Sequence, residues 1–133
     1  MFQSTHAFNQ DISSWDTHNV VDFVAMFLWA DKFNNGSVTD DGAHPLRTNG
    51  NKWDVTHAQS IQYMFYGDHF NQDIGNWDVS NIRDFECAFQ GNQYFDQDLS
   101  TWNPVSATRL DCMFQNTKFN NGGHPMVATA TTW

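Results

Sequence analysis

The sequence is poor in basic residues and has no long apolar run. Six Lys and Arg residues stand against 15 Asp and Glu residues, for a formal net charge of −9. Nucleic acid and anionic membrane surfaces are bound by clustered Lys and Arg, so the composition argues against both partners. No apolar stretch approaches the roughly 18 residues of a transmembrane helix, and no basic start precedes an apolar segment. Membrane insertion and a signal peptide are therefore not predicted.

Aromatic residues, in contrast, are abundant and recur in register about every 25 residues. Each repeat begins with a Phe, usually in a Met-Phe pair, has a second Phe five or six residues later and ends with a Trp. The columns are Phe2, Phe27, Phe65, Phe89 and Phe114, then Phe8, Phe33, Phe70, Phe95 and Phe119, then Trp15, Trp53, Trp77, Trp102 and Trp133. Repeats of this kind are predicted to stack, because one repeat alone cannot bury its apolar side chains.

Residues 1–133 are therefore predicted to form a single repeat domain of about five coils. The approximate bounds of the coils are 1–25, 26–63, 64–87, 88–112 and 113–133. Two insertions, near 37–52 and 121–132, enter at one place in the repeat, after the second Phe. They are expected to project as loops and to form the contact surface, since loops on a rigid scaffold vary without disturbing the core.

Each coil is predicted to contain one short helix and one short strand. Ile82, Phe85 and Phe89 follow a polar turn at helical spacing. The segment 70–77 is too short and polar for a helix and reads as an extended segment with Ile74 inside. The expected fold is thus an α/β, leucine-rich-repeat-like solenoid of about five stacked coils.

The two cysteines occupy equivalent positions in adjacent repeats. Cys87 and Cys112 could reach disulfide distance if the coils were about 5 Å apart, as strands are. If helices carried them, a spacing nearer 8–10 Å would make a bond unfavourable. We expect two buried free thiols, which decide no redox compartment.

The segment 70–85, FNQDIGNWDVSNIRDF, followed by a later Met-Phe pair, resembles the repeat of the BspA-like bacterial surface proteins. The resemblance covers essentially the whole chain. It implies a leucine-rich-repeat-like fold acting in surface attachment and protein interaction, with no catalytic residues to transfer. Departures from the pattern are Ala88 for Met, Asp96 for Asn, Asn103-Pro104 for Asp-Val and the two insertions.

Two columns of aspartate invite a cation site. They are Asp11, Asp73 and Asp98 before the inner aliphatic residue, and Asp16, Asp54 and Asp78 after the Trp. Calcium prefers several oxygen ligands, but one carboxylate per coil is too few, so the favoured interpretation is a backbone cap in each turn. The six histidines show no metal-ligand spacing and no catalytic arrangement. No cofactor, no metal site and no enzymatic activity are predicted.

Asparagines supply two further features. Asn9, Asn34, Asn71 and Asn120 form a column that suits a ladder of side-chain amides, which Asp96 is expected to interrupt. Asn35 begins the sequence Asn-Gly-Ser, a candidate glycosylation site in the predicted first loop.

The expected function is that of a structural or adhesion protein of the cell surface or extracellular space, contacting protein or glycan. No polar capping repeat covers the predicted ends, so Phe2, Phe8, Phe119 and Trp133 are candidates for an end-to-end interface in a larger assembly. The alternatives are a structural component of a large virus particle and an intracellular binding module.

Overall fold

The computed structural model describes residues 1–39, 44–48 and 52–123. Within these residues the chain winds through successive coils built of tight turns. The single helix in this part of the chain is a short 3₁₀ segment, Asn121–Gly123. Neighbouring coils meet at parallel bridges one residue pair long: Asp22–Ser60, Ser60–Asp84 and Asp84–Arg109. No helix in the described ranges is long and apolar enough to cross a membrane.

The predicted helix of each coil is replaced by consecutive turns. Where the first coil passes into the second, the Met26 N–H donates to the Phe23 carbonyl at 3.1 Å, which closes a four-residue turn. The φ angle is +53° at Ala25 and +58° at Trp29, values that a right-handed helix does not contain. The α/β prediction is therefore wrong, since the described residues form neither an α-helix nor an extended strand.

The coils are joined instead by a ladder of backbone hydrogen bonds. Every second N–H of the turn segment donates to the next coil, as from Ala25 to the Gln62 carbonyl at 2.8 Å and from Tyr63 to Glu86 at 3.0 Å. We call the surface that carries this ladder, residues 22–29, 60–67, 84–91 and 109–116, the ladder face. The bonding gives the coils about the separation of paired strands, although the part of the chain that the structure describes forms no extended strand.

Stacked rings fill the interior. The first-Phe column has ring centroids 5.3 to 5.7 Å apart from coil to coil, and the two Phe rings of one coil stack at 3.9 to 4.3 Å. The buried members of the columns are Phe27, Phe33, Trp53, Phe65, Phe70, Trp77, Phe89, Phe95 and Trp102. Phe2, Phe8, Phe114 and Phe119 are partly buried, and Trp15 is more than one-third exposed. Trp133 lies outside the described residues.

Residues 44–48 of the first insertion pack into the stack instead of projecting from it. Leu46 is fully buried, its N–H donates to the Asp73 carbonyl at 3.0 Å, and its carbonyl accepts the Trp77 Nε1–H at 2.7 Å. Leu46 therefore fills, in the second coil, the inner aliphatic position that Ile74 fills in the third. Residues 44–48 are part of the stack, contrary to the expectation for 37–52. Of the second insertion only 121–123 are described.

The expectation of free thiols is also wrong. Cys87 and Cys112 form a disulfide with their Cα atoms 4.6 Å apart. The Cys87 N–H donates to the Asp111 carbonyl at 2.8 Å, so the ladder brings the two coils together next to the bond. The larger separation expected of helices does not apply, because this part of the coil is not helical.

Candidate interaction surface

The carboxylates of the two aspartate columns bond to backbone groups within their own turns. Asp73 Oδ1 accepts the Gly75 N–H at 2.8 Å, and Asp78 Oδ1 accepts the Ser80 N–H at 3.0 Å. The same bond to the residue two places on is made by Asp11, Asp16, Asp54 and Asp98. These carboxylates close Asx-turns, as the favoured interpretation predicted. Within the described ranges no three His, Cys, Asp or Glu side chains are grouped so as to hold a metal ion.

The asparagine column forms a ladder of a different kind from the predicted one. Each Oδ1 accepts backbone N–H groups of the next coil: Asn9 from Asn34 at 2.8 Å, and Asn34 from Asn71 at 2.8 Å. Asn71 Oδ1 accepts the Asp96 N–H at 2.9 Å, and Asp96 Oδ1 accepts the Asn120 N–H at 2.6 Å. Asp96 does not interrupt the ladder, because each step needs only an acceptor oxygen.

Asn35 is fully buried rather than displayed on a loop. Its Oδ1 accepts the Ile12 N–H at 2.9 Å, and its Nδ2 donates to Ser13 Oγ at 2.8 Å and to the His44 carbonyl at 2.9 Å. Both amide hydrogens are thus engaged, and no space is left for a sugar on Nδ2. A glycan at Asn35 is incompatible with this folded structure.

Asp68 is a carboxylic acid inside the core. It is 3% exposed, and its Oδ1 accepts the Phe70 N–H at 2.7 Å and the Asn92 Nδ2–H at 3.2 Å. Its Oδ2 is buried without a hydrogen-bond partner among the described residues. Burial raises the pKa of Asp68 well above its usual range, against the opposing effect of the Phe70 N–H.

Apolar surface is exposed on the first coil. Met1 is largely solvent-accessible, and with Trp15 and Val24 it borders a cleft whose floor includes Phe23 and Met26. Of the residues predicted to form an end-to-end interface, Phe2 and Phe8 lie beside this surface as a stacked pair, with ring centroids 4.1 Å apart. Phe119 stacks on Phe114 at the other end of the described column, at 4.0 Å.

Two polar clefts lie on either side of the returning segment 44–48. Arg47 and Asn76 border both of them. Arg47 Nε is 3.3 Å from Asp73 Oδ2, and Asn76 holds Thr48 through bonds to its N–H at 3.0 Å and its carbonyl at 2.9 Å. Of the basic side chains that line the clefts, Arg47 is therefore already paired with a carboxylate of the neighbouring coil, and Lys52 borders the first cleft.

A cluster of aromatic side chains on the ladder face was missed by the sequence analysis. Trp29 and Tyr66 meet edge to face with ring centroids 5.0 Å apart, and Tyr63 and Tyr66 do so at 5.9 Å. All three lie outside the repeating Phe and Trp columns. That departure from the columns is the signal that could have identified them, because aromatic residues not needed for the stack are candidates for contact.

The sequence also matches a known protein family. A family model described as "Mycoplasma protein of unknown function, DUF285" matches residues 1–42 and 40–127. Comparison with curated proteins and with solved structures finds no match.

Proposed function

Because the chain belongs to the DUF285 family, whose description assigns no activity, we propose a function from its structure. The protein is a non-enzymatic module of the cell surface or extracellular space, of the BspA-like type. Its stacked coils act as a stiff support for contacts with protein or glycan and extend into a larger assembly.

The observation that carries the proposed location is the disulfide between adjacent coils. Cys87 and Cys112 are joined across one repeat of the stack. Structural disulfides persist in oxidising environments and are rare in reducing ones. The bond therefore favours the extracellular and surface assignments over an intracellular binding module.

The proposed assembly rests on the apolar surface of the first coil. Met1, Trp15 and Val24 are exposed there, next to the stacked pair Phe2 and Phe8. Surfaces of this kind mark interaction sites on soluble proteins. A further coil stacked on this surface would continue the first-Phe column at the spacing already present between Phe2 and Phe27, 5.7 Å.

The proposal is tested on intact source cells with a membrane-impermeant amine-reactive biotin reagent. We expect the protein to be labelled, and its cysteines to react with a maleimide only after reduction. Sedimentation of the native material should show particles larger than the monomer. Unlabelled protein with two free thiols would contradict the surface assignment, and reduced protein that co-purifies with virus particles would replace it by the structural virion role.

A further inference from the structure

The aromatic cluster on the ladder face forms one continuous exposed platform. Trp29 contacts Tyr66, and Tyr66 contacts Tyr63, each pair edge to face. Trp29 is 46% exposed, and the two tyrosines are half-buried. The platform spans the second and third coils and lies apart from the core columns and from the two clefts beside Arg47.

The stability of the fold does not explain why a tryptophan occupies position 29. Its φ of +58° lies in the left-handed region, and the equivalent residues in the next coils are Gly67, Gly91 and Asn116, the types that tolerate this conformation. A Cβ on Gly67 would lie 2.6 Å from Trp29 Cζ3, so the indole rests on bare backbone. Positive φ recurs at this position in every coil, so the distinctive feature of Trp29 is a bulky, exposed side chain that the backbone does not require.

Fixed polar groups border the platform on its other side. Glu86 is held by the Gln62 amide, by the Tyr63 hydroxyl at 3.4 Å and by the Arg109 guanidinium. One coil further from Trp29, Gln90 Nε2 donates to Gln115 Oε1 at 2.7 Å. The bonds between coils fix the positions of these amide and carboxylate groups relative to the rings.

The composition of the platform and of its border distinguishes between classes of ligand. A stable protein interface covers about 800 Å² on each partner, and its centre is depleted of charged groups. Here three rings, extended by the half-buried Leu28, are bordered within one coil by Glu86 and Arg109. A small aromatic surface surrounded by oriented polar groups matches a ligand that has both apolar faces and many hydroxyls.

We propose that this platform binds a neutral glycan, with the C–H face of a pyranose ring stacked on Trp29. The side chains of Gln62, Glu86 and Gln90 receive and donate hydrogen bonds to its hydroxyl groups. The Cα atoms of Cys87 and Cys112 in adjacent coils are 4.6 Å apart, so one linear polysaccharide lying along the stack can reach polar groups of successive coils. This inference rests on the contact role proposed above and names its ligand class.

The test uses the oxidised full chain in native gels that contain laminarin, xylan or galactomannan. Two variants carry the residue of a neighbouring coil and so suit the fold: Trp29→Gly, as at Gly67, and Tyr66→Gln, as at Gln90. Tyr94→Gln is the matched control, because Tyr94 is about as exposed as Trp29 but its ring stacks on His69 instead of on a platform residue. We expect retardation of the wild-type protein and of the control, and about tenfold weaker association in each platform variant.

Urea midpoints of all variants establish that they remain folded, and Trp29→Phe should restore part of the binding. Absence of retardation by all three polysaccharides would overturn the glycan assignment. Retardation that survives Trp29→Gly would overturn the assignment to this platform. Trp29-dependent binding of a purified protein without polysaccharide binding would replace the ligand class. The binding results do not affect the labelling of intact cells. Failure of the glycan proposal can therefore be distinguished from failure of the proposed surface function.

Discussion

Replacing the buried Asp68 by Asn should stabilise the protein at neutral pH. The equivalent residue in the fourth coil is Asn92, whose Nδ2 donates to the Phe70 carbonyl of the preceding coil at 3.0 Å. In the Asp68→Asn variant the new Nδ2 replaces the unpartnered Oδ2, and by the equivalence with Asn92 we expect it to donate to the corresponding carbonyl, that of Phe33. The Oδ1 that accepts the Phe70 N–H is retained.

The magnitude follows from the buried oxygen. A buried polar atom without a partner costs about 1–3 kcal/mol, and a charged one costs more. We therefore expect Asp68→Asn to raise the free energy of unfolding by about 1–3 kcal/mol at pH 7. The reverse change, Asn92→Asp, places a second carboxyl beside Asp68 and should destabilise the protein by at least as much.

The pH dependence gives an independent check. The pKa of Asp68 is raised in the folded state from the ordinary value of 3.8, so the folded protein binds this proton more tightly than the unfolded chain. The associated stability is fully present below about pH 4 and is lost as pH rises through the folded pKa. The advantage of Asp68→Asn should consequently grow from acid to neutral pH.

Urea unfolding of both proteins at several pH values measures this difference, and carboxylates common to both cancel in it. A variant that is no more stable than wild type at pH 7 would refute the reasoning about the unpartnered oxygen. A stability difference that does not change with pH would refute the assignment of a raised pKa.

Three further changes test the ladder, the disulfide and the support of Trp29. Asp96→Ala should cost about 0.5–1.5 kcal/mol in urea unfolding, because the solvent-exposed N–H groups of Asn120 and Gly122 lose their acceptor, whereas Asp96→Asn keeps it and should be nearly neutral; equal losses would contradict an acceptor ladder. The Cys87→Ser/Cys112→Ser double variant should lose about 3 kcal/mol, as expected for a cross-link over a sequence separation of 25, and a thermal midpoint unaffected by reductant in the wild type would be the opposite result. Gly67→Ala should be destabilising by about 1–3 kcal/mol more than Gly91→Ala, since both residues have positive φ but only a Cβ on Gly67 meets the Trp29 ring; the Trp29→Gly background should remove the difference.

The repeat register and the aromatic columns follow from the sequence because a side chain that must stack on its equivalent is required in every coil. Phe65 and Phe89 illustrate this, with ring centroids 5.3 Å apart. The Asx-turns are equally local, since Asp73 bonds a backbone group only two residues away. Both features therefore depend on residues that the sequence places at fixed separations.

The conformation of the turn segment depends on the neighbouring coils. Apolar residues three and four apart suit a helix, but they also suit successive four-residue turns with a buried side chain at each corner. The N–H groups of Ala25, Phe27 and Trp29 find their acceptors in the next coil, at the carbonyls of Gln62, Met64 and Tyr66, and that pairing selects the turns. A pattern within one repeat contains no information about those acceptors.

Three other features of the structure also depend on contacts between coils. The coil separation brings Cys87 to Cys112, the packing of the first and second coils buries Asn35, and the return of the insertion places Leu46 in the core. The sequence by itself thus determined which residues repeat and which turns they close. Only the tertiary structure decided the backbone conformation, the disulfide and the exposed aromatic platform, because each depends on contacts between residues of different coils, more than 20 positions apart.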